Sequence, residues 1–346
     1  MYQTNIMNET STGGIKEIIA ETLAISQNSI LPYADSYQML IELLGHYSIN
    51  SSHLVFGGLA NPDVLLAADQ AHFSFTEAIG NDPFIGSTRA LLDAIKASND
   101  LVYLGNPNTI SGANYSLKEI EAIAHAIPGG LLLVDEYYFD FYGITALPLV
   151  NLYNNIVVIR NFTAAYGSYA NSSGALIGCE NLINELQEQL NLRPLQPLLV
   201  KTIINALQPG PEIYERLKEL HDEALRLTKQ LNRLGIQSRI TPGDFILVKV
   251  ASPKDCGNYL NSKKIAVENL DGYPLMKKYL KYRLETSFTN DRFIDAFRRM
   301  PKSYYQLSSK QLDKITLKNP GETRPFSFYD DLAEYVEQKD EILTTK

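Results

Sequence analysis

Residues 101–138 decide the fold, and they read LVYLGNPNTISGANYSLKEIEAIAHAIPGGLLLVDEYY. Residues 101–104 and 131–134 are short apolar runs, which is the pattern of strands that are buried on both faces. Between them, residues 116–126 place apolar side chains at helical spacing. This order of strand, helix and strand predicts two parallel strands joined by a helical crossover.

Similar segments flank this unit on both sides. Residues 53–56 and 156–159 are again apolar and strand-like, whereas residues 87–97 have helical spacing. Asp35 precedes another helical segment and is its predicted N-cap. Repeated apolar strands separated by helices predict an α/β protein with a mostly parallel sheet covered by helices.

The second half of the chain has a different pattern. A long charged amphipathic helix is predicted over residues 212–234, followed by a strand at residues 245–250 and a helix at 255–263. Further strands are predicted at residues 265–267 and 282–287. This mixed order predicts a small α+β domain beside the large one.

We therefore divide the chain into four parts. They are an amino-terminal segment that joins the small domain (1–35), a large domain (36–205), an interdomain helix with the small domain (206–300) and a carboxy-terminal extension (301–346).

Charge, cysteine content and the length of apolar runs argue against several classes of function. The chain of 346 residues has a formal net charge of -8 and a pI near 5.3, and no run of lysine or arginine indicates binding to nucleic acid or to an anionic membrane. Cys179 and Cys256 are expected to be reduced thiols. No window reaches the ~20 apolar residues of a membrane span. We expect a cytoplasmic protein with a small-molecule partner.

Asp135 and Tyr138 follow the strand at residues 131–134. An aspartate at a strand end is often a turn or cap residue. A buried aspartate three residues before a tyrosine also suits a protonated aromatic heterocycle, because the carboxylate holds a ring nitrogen cationic while the phenol contacts a ring hydroxyl. Both interpretations remain open at this point.

Three motifs in order make a specific resemblance. Asn106-Pro107-Asn108 is followed by Ser111-Gly112, then by Val134-Asp135-Glu136 with Tyr138, and then by a strand ending in Phe162-Thr163 with Ala165-Tyr166-Gly167. This pattern resembles the fold-type I pyridoxal-phosphate-dependent aminotransferases of class I/II, and within them the histidinol-phosphate aminotransferases most. The resemblance covers residues 8 to 300. It implies a seven-stranded sheet, a homodimer, and pyridoxal 5'-phosphate or pyridoxamine 5'-phosphate as cofactor.

The resemblance also implies roles for individual residues. Asp135 matches the aspartate on the pyridine nitrogen, Tyr138 the tyrosine on the ring hydroxyl, Phe73 the aromatic residue stacked on the ring, and Arg283 the arginine that binds the substrate carboxylate. Tyr166 is a further predicted substrate contact. The remaining predicted cofactor contacts are Gly58, Leu59, Ala60, Thr109, Asn161, Thr163 and Ser172. For Gly58, Leu59 and Ala60, the alternatives are phosphate-binding N–H groups and an ordinary glycine turn.

Several positions depart from the family pattern. Ala164 stands where the resemblance places the lysine that forms the Schiff base and moves the substrate proton. Ser172 stands at the arginine beside the phosphate, Thr109 at an asparagine, and Leu31 at the tyrosine that reaches the phosphate from the partner subunit. The ring and carboxylate contacts are thus retained, whereas the anchoring and phosphate contacts are depleted.

Three explanations follow from Ala164. The chain is a divergent enzyme acting on a small amino acid or another carboxylate without transamination, or an inactive ligand-binding scaffold, or an aminotransferase whose lysine was replaced to trap an intermediate. Candidate proton carriers are His72, Tyr138, Tyr166 and Tyr169. The five scattered histidines give no ligand spacing for a metal, so we expect none.

Overall fold

Buried apolar strands form the centre of the structure. The computed structural model of the chain describes residues 12–162, 164, 173–207 and 211–307. All four strands predicted in the first half are present, and each is one or two residues longer than predicted. Together with three further strands they form one sheet. The seven strands are β1 (Ile30–Tyr33), β2 (His53–Gly57), β3 (Ser74–Ala78), β4 (Leu101–Gly105), β5 (Leu131–Asp135), β6 (Ile156–Asn161) and β7 (Gly174–Ile177).

The order of strands is β1-β7-β6-β5-β4-β2-β3. The pairs from β6 to β3 are all parallel, whereas β7 is antiparallel to both β6 and β1. The predicted α/β class with a mostly parallel seven-stranded sheet is therefore confirmed. Parallel strands place all their carboxyl ends at one edge of the sheet, and the loops that leave this edge lie close together.

Helices account for much of the rest of the described chain. They are α1 (Thr12–Leu23), α2 (Ser36–Tyr47), α3 (Pro62–Gln70), α4 (Thr88–Ala94), α5 (Leu117–Ala126), α6 (Phe139–Tyr142), α7 (Glu180–Gln189), α8 (Pro197–Leu207), α9 (Pro211–Arg233), α10 (Pro253–Ser262), α11 (Ser287–Arg299) and α12 (Lys302–Tyr305). Short 3₁₀ helices lie at Gln27–Ser29, Leu147–Leu149 and Pro274–Met276. Asp35 caps α2 as predicted, because its side chain accepts the N–H of Gln38 at 2.9 Å.

Helices pack on both faces of the larger sheet. On one face, Ile15 of α1, Ile120 of α5 and Ile203 of α8 are fully buried against the strands. On the other face, Leu43 of α2 and Leu186 of α7 are buried in a second apolar layer. Each fully buried side chain of this kind contributes about 1.5–3 kcal/mol of transfer free energy. The sheet is therefore held rigidly beneath the loops at its carboxyl edge.

A second sheet has four antiparallel strands. They are β8 (Ser238–Ile240), β9 (Phe245–Lys249), β10 (Glu268–Asn269) and β11 (Tyr279–Arg283), in the order β10-β11-β9-β8. The helices α9 and α11 cover this sheet, with Leu227 and Phe297 fully buried. Tyr282 stacks on Phe293 with 3.7 Å between ring centroids. This α+β part matches the predicted small domain in content.

Two predicted strands of this part are wrong. Residues 265–267 are a loop, because Ile265 is buried at the end of α10 and bonds there to the carbonyl of Leu260, and the strand β10 follows it. The strand predicted at residues 282–287 instead ends at Arg283. Thr286 then caps α11 by accepting the N–H of Thr289, so the chain turns helical where a strand was expected.

The described residues up to Gln306 belong to one compact unit. The domain boundaries at residues 35, 205 and 300 stay predictions, and residues 308–346 of the predicted extension lie outside the described residues. None of the helices in the described ranges combines the length and apolar composition needed to cross a bilayer.

Candidate functional site

A pocket of about 320 Å³ opens at the carboxyl ends of β4, β5 and β6. Its wall on the side of the larger sheet includes Thr109, Asp135 and Asn161. The smaller sheet contributes Glu268 of β10 and Lys281 and Arg283 of β11 to the same lining. Open α/β sheets bind ligands at this edge, and the volume is at the lower end of the range for small-molecule pockets. The pocket is therefore the candidate site.

Asp135 is held in this wall by two hydrogen bonds. The hydroxyl of Tyr103 donates to its Oδ2, and the backbone N–H of Tyr137 donates to its Oδ1 at 3.0 Å. Burial, together with a smaller effect of the neighbouring Glu136, raises the pKa of Asp135 to about 6, although the two hydrogen bonds lower it. The contact to Tyr137 confirms the turn interpretation. The role on a ring nitrogen stays a prediction, and the position in the pocket wall is compatible with it.

Asp244 connects Tyr138 with Arg283. The hydroxyl of Tyr138 donates to Oδ1 of Asp244 at 2.8 Å, and Nε of Arg283 lies 3.0 Å from Oδ2 of the same carboxylate. The hydroxyl of Tyr138 is therefore already engaged as a donor to Asp244, and its contact to a ring hydroxyl stays a prediction. Burial and the neighbouring Asp244 raise the pKa of Tyr138, so that this phenol stays protonated and is not a base near neutral pH.

Asp244 was not among the predicted site residues. It lies immediately before β9 and is fully buried. In the sequence it follows Pro242-Gly243, which is typical of a turn. A buried carboxylate that is ion-paired with a predicted ligand-binding arginine is a functional candidate. The only sequence signal was its acidic side chain directly before an apolar strand.

Lys281 is a second pocket residue that sequence reasoning missed. Its Nζ donates to the carbonyl oxygen of Thr109 at 2.9 Å and lies 3.2 Å from a carboxylate oxygen of Glu268. The amine also lies over the ring of Phe245, 4.7 Å from the centroid. The available signal was its spacing, because residues two apart on a strand share a face and Arg283 was already predicted.

Two of the three N–H groups that were predicted to hold a phosphate, those of Gly58 and Ala60, have protein acceptors. The N–H of Ala60 donates to Glu77 Oε1 at 2.8 Å, and the N–H of Gly58 faces the carbonyl oxygens of Phe56 and Ala78 at 3.0 and 3.1 Å. Gly58 has a φ of 105°, which only glycine adopts readily. The turn interpretation of this segment is therefore the one observed, and Leu59 is buried within it.

Ala164 lies three residues after the end of β6 at Asn161. Its backbone N–H donates to the side chain of Asn161 at 3.0 Å, and its methyl group is buried. A methyl group offers neither an amine nor a proton acceptor. The predicted site residues Thr163, Tyr166 and Ser172, and the candidate proton carrier Tyr169, lie outside the described residues.

His72 and Phe73 lie away from the pocket. The role of proton carrier predicted for His72 and the stacking role predicted for Phe73 do not agree with this position. Both residues directly precede β3, which is parallel to β2, so they lie at the amino edge of the sheet, whereas the pocket is at the carboxyl edge. Phe73 is buried in the apolar layer that contains Ala68, and His72 is exposed in a left-handed turn with φ 60°. A five-residue strand of about 3.3 Å per residue separates the two edges.

Leu31 lies within the larger sheet. It lies in β1, pairs with Leu176 of β7 and is buried in the apolar layer of the same chain. Its place beside the site of a partner subunit stays a prediction, and a leucine side chain has no hydroxyl to offer a phosphate. Tyr33, two residues later, lines the pocket instead and donates its hydroxyl to the carbonyl of Arg160 at 3.3 Å.

Within the described part of the chain, no three His, Cys, Asp or Glu side chains converge as a metal-binding group. The charged residues that line the pocket come from both sides. Asp63 and Asp135 belong to the larger-sheet side, whereas Glu268 of β10 and Lys281 and Arg283 of β11 belong to the smaller sheet.

Sequence comparisons point to one family. The sequence model described as "Aminotransferase class I and II" matches residues 82–279, which is more than half of the chain. Histidinol-phosphate aminotransferase of Caldanaerobacter subterraneus subsp. tengcongensis is 29% identical over 207 residues, which are 58% of this chain and 57% of that protein. The enzyme of the same name from Ruminiclostridium cellulolyticum is 23% identical over 304 residues, or 85% of this chain and 83% of the relative. The chain spans 57% and 65% of the Caldanaerobacter and Chlorobium luteolum relatives.

Solved structures share the fold. A putative histidinol-phosphate aminotransferase from Erwinia carotovora atroseptica has a TM-score of 0.74 at 18% identity, covering 82% of this chain and 84% of that one. Histidinol-phosphate aminotransferase from Sinorhizobium meliloti, described in complex with pyridoxal-5'-phosphate, has a TM-score of 0.72 at 17% identity and covers 82% and 81%. At this identity the likeness concerns the fold alone.

Proposed function

Because the chain belongs to the aminotransferase class I and II family, we propose that its pocket binds a small amino acid or a related carboxylate without the lysine chemistry of a transaminase. The observation that carries this proposal is that an acidic and a basic side chain line the same pocket. Asp135 lies at the end of β5, and Arg283 lies at the end of β11. A zwitterion directs its ammonium group toward Asp135 and its carboxylate toward Arg283.

Arg283 is the proposed carboxylate ligand. A guanidinium group binds carboxylates through paired hydrogen bonds, and these charge-assisted bonds are about twice as strong as neutral ones. Asp244 holds the Nε edge of Arg283 from a fully buried position. We therefore assign Asp244 a positioning role, in which it orients the guanidinium group toward the pocket.

The cofactor of the family fits these residues only in part. Asp135 suits a protonated ring nitrogen, because its carboxylate is held in the pocket wall. Ala164, at the position that the resemblance gives to the lysine, has no amine, and the N–H groups of Gly58 and Ala60 already have protein acceptors. We infer that these residues do not fit a covalently anchored cofactor whose phosphate is held by this turn.

The proposal is tested by calorimetric titration of the chain with L-serine and L-glutamine. We expect binding of at least one of them, and a loss of about tenfold or more in affinity for Arg283→Gln, the size expected when a charge-assisted hydrogen bond is removed. Arg89→Gln is the matched control, because Arg89 lies on the exposed surface of α4. Absence of binding, or unchanged affinity in Arg283→Gln, contradicts the proposal.

A second experiment separates the divergent enzyme from the two alternatives. Ala164→Lys is assayed for transamination in the presence of pyridoxal 5'-phosphate, with the unaltered chain beside it. Activity only in the variant supports a replaced or recently lost lysine. Inactivity of both, together with amino acid binding, supports a repurposed enzyme or a binding scaffold, and turnover of the bound carboxylate distinguishes these two.

We also propose that the chain forms a homodimer, as the resemblance implies for its family. The expected observation is a mass of twice 38.7 kDa in light scattering coupled to size-exclusion chromatography. A mass of one chain contradicts it.

A further inference from the structure

Lys281 stands beside Arg283 on the same face of β11. Its side chain is only 12% exposed, and its amine bonds to the backbone of Thr109 across the pocket from its own strand. The carboxylate of Glu268, the ring face of Phe245 and the carbonyl oxygen of Thr109 surround the amine of this lysine and hold it in place. The pocket therefore contains a fixed positive charge in addition to the guanidinium group of Arg283.

The two cations have carboxylate partners of different kinds. Asp244, the partner of Arg283, is 1% exposed, whereas Glu268, the partner of Lys281, is 48% exposed. If Arg283 were drawn away from Asp244, the buried carboxylate would be left with an uncompensated charge. An incoming anion therefore does not displace Asp244 from Arg283. An exposed carboxylate returns to water at little cost, and its surface ion pair contributes little to stability. Lys281 is thus the cation whose counterion a ligand can replace.

We propose that Lys281 is a specificity-determining residue that binds a second acidic group of the ligand. This inference rests on the proposed function, in which Arg283 binds the first carboxylate. Residues two apart on a strand are separated by about 7 Å along it, so one small diacid reaches both side chains. The ligand displaces Glu268 toward solvent and keeps the bond between Lys281 and Thr109.

The chemistry recognised is an acidic group, which is either a carboxylate or a phosphate. Two pairs of probes distinguish these sources, namely L-glutamate against L-glutamine, and O-phospho-L-serine against L-serine. Affinities are measured by calorimetric titration of the full chain. We expect the acidic member of at least one pair to bind about tenfold more tightly than its neutral counterpart, which is the gain from one charge-assisted contact.

The variants assign this preference to Lys281. Lys281→Met is expected to reduce the preference to less than about threefold while the affinity for the neutral probe is retained. Lys281→Arg keeps the positive charge and is expected to keep the preference. Lys277→Met is the matched control, because Lys277 is exposed four residues before Lys281. The thermal midpoint of each variant shows whether its fold is intact.

Each outcome decides between the two proposals. Binding of neutral and acidic probes with equal affinity overturns the role of Lys281 and leaves the proposed amino acid site in place. A preference that persists in Lys281→Met also overturns it. If no probe binds, the inference and the proposed function both fail.

Discussion

Asp244 shows at the scale of single residues how the two sheets share one site. Its carboxylate accepts the hydroxyl of Tyr138, which follows β5, and pairs with Arg283 at the end of β11. A buried carboxylate with two partners stabilises the fold by more than its two contacts taken one at a time, because its loss would leave both partners unsatisfied. The sequence predicted Tyr138 and Arg283 from their motifs. It did not predict Asp244, whose role depends on strands that are distant in sequence.

Substitution of Asp244 is expected to lower both the stability of the chain and its affinity for a ligand. Asp244→Ala leaves the Tyr138 hydroxyl and the Arg283 guanidinium group without their shared acceptor, so the free energy of unfolding is expected to fall by about 1–3 kcal/mol. Affinity for a bound amino acid is expected to fall at least about tenfold, because Arg283 loses its orientation. Asp244→Asn keeps an acceptor for Tyr138 and is expected to lose less stability. Urea unfolding and calorimetric titration measure both effects, and unchanged affinity in Asp244→Ala would contradict the positioning role.

Asp135 gives a prediction about pH. The pKa of its carboxyl group is about 6 in the folded chain, compared with about 3.9 when unfolded. Between these values the folded chain binds the proton and the unfolded chain does not, so this residue lowers stability as pH rises from about 4 to 6. The full effect is on the order of 3 kcal/mol.

Asp135→Asn therefore separates stability from binding. Above about pH 6 the variant is expected to be more stable than the unaltered chain, whereas its affinity for a ligand ammonium group is weaker. Below about pH 4 the difference in stability disappears. Urea unfolding across this range measures it, and a variant that is less stable at neutral pH would refute the unfavourable burial of this carboxylate.

At the scale of elements, the turn after β5 rests on a buried ion pair. Arg160 of β6 lies 2.5 Å from the carboxylate of Glu136, and this carboxylate also accepts the N–H of Ala146 at 2.6 Å. The guanidinium group of Arg160 additionally covers the ring of Phe139 at 3.5 Å. These contacts join β6 to the turn that contains Asp135 and Tyr138. They fix the pocket wall without touching the pocket.

Glu136→Ala tests this support. Removing one partner of a buried ion pair leaves the charge of Arg160 uncompensated, and the expected loss is about 3–5 kcal/mol of unfolding free energy. Asp93→Ala breaks the exposed pair between Asp93 and Arg89 and is expected to change stability by less than about 1 kcal/mol. Chemical denaturation of both variants provides the comparison. Equal effects of the two substitutions would show that the buried pair does not support the turn.

Elements were predictable where burial alone dictates the sequence. The central strands β2, β4, β5 and β6 are apolar along nearly their whole length, and their sequences predict them. The strand β3 was missed because it is an edge strand with exposed residues at its start, so it lacks a continuous apolar run. That omission also explains the error for His72 and Phe73. Without β3, nothing indicated that they precede a strand and lie at the opposite edge of the sheet.

At the scale of the whole molecule, the pocket is lined by residues of two sheets, of which one is mostly parallel and the other is antiparallel. The larger sheet contributes the carboxyl ends of parallel strands, and the antiparallel sheet contributes Glu268 of β10 and two cationic side chains on one face of β11. The sequence predicted both parts and the class of fold. It did not predict which side chains of the small α+β part face the larger sheet. This depends on packing between residues more than a hundred positions apart.

A ligand that bridges the two walls stabilises the folded chain as a whole. At a free concentration of one hundred times the dissociation constant, the gain is about 2.7 kcal/mol, provided that the unfolded chain does not bind. The thermal midpoint is expected to rise with the concentration of a bound amino acid and to rise much less in Arg283→Gln. Equal shifts in both proteins would indicate binding elsewhere.

The most direct measurement is the affinity of the purified chain for an amino acid, determined by calorimetric titration with and without pyridoxal 5'-phosphate. If the pocket is an amino acid site that does not depend on a covalently held cofactor, the two affinities agree and both fall in Arg283→Gln. Binding that occurs only after pyridoxal 5'-phosphate has been added would contradict this account, and it would assign the pocket to cofactor-dependent chemistry despite Ala164.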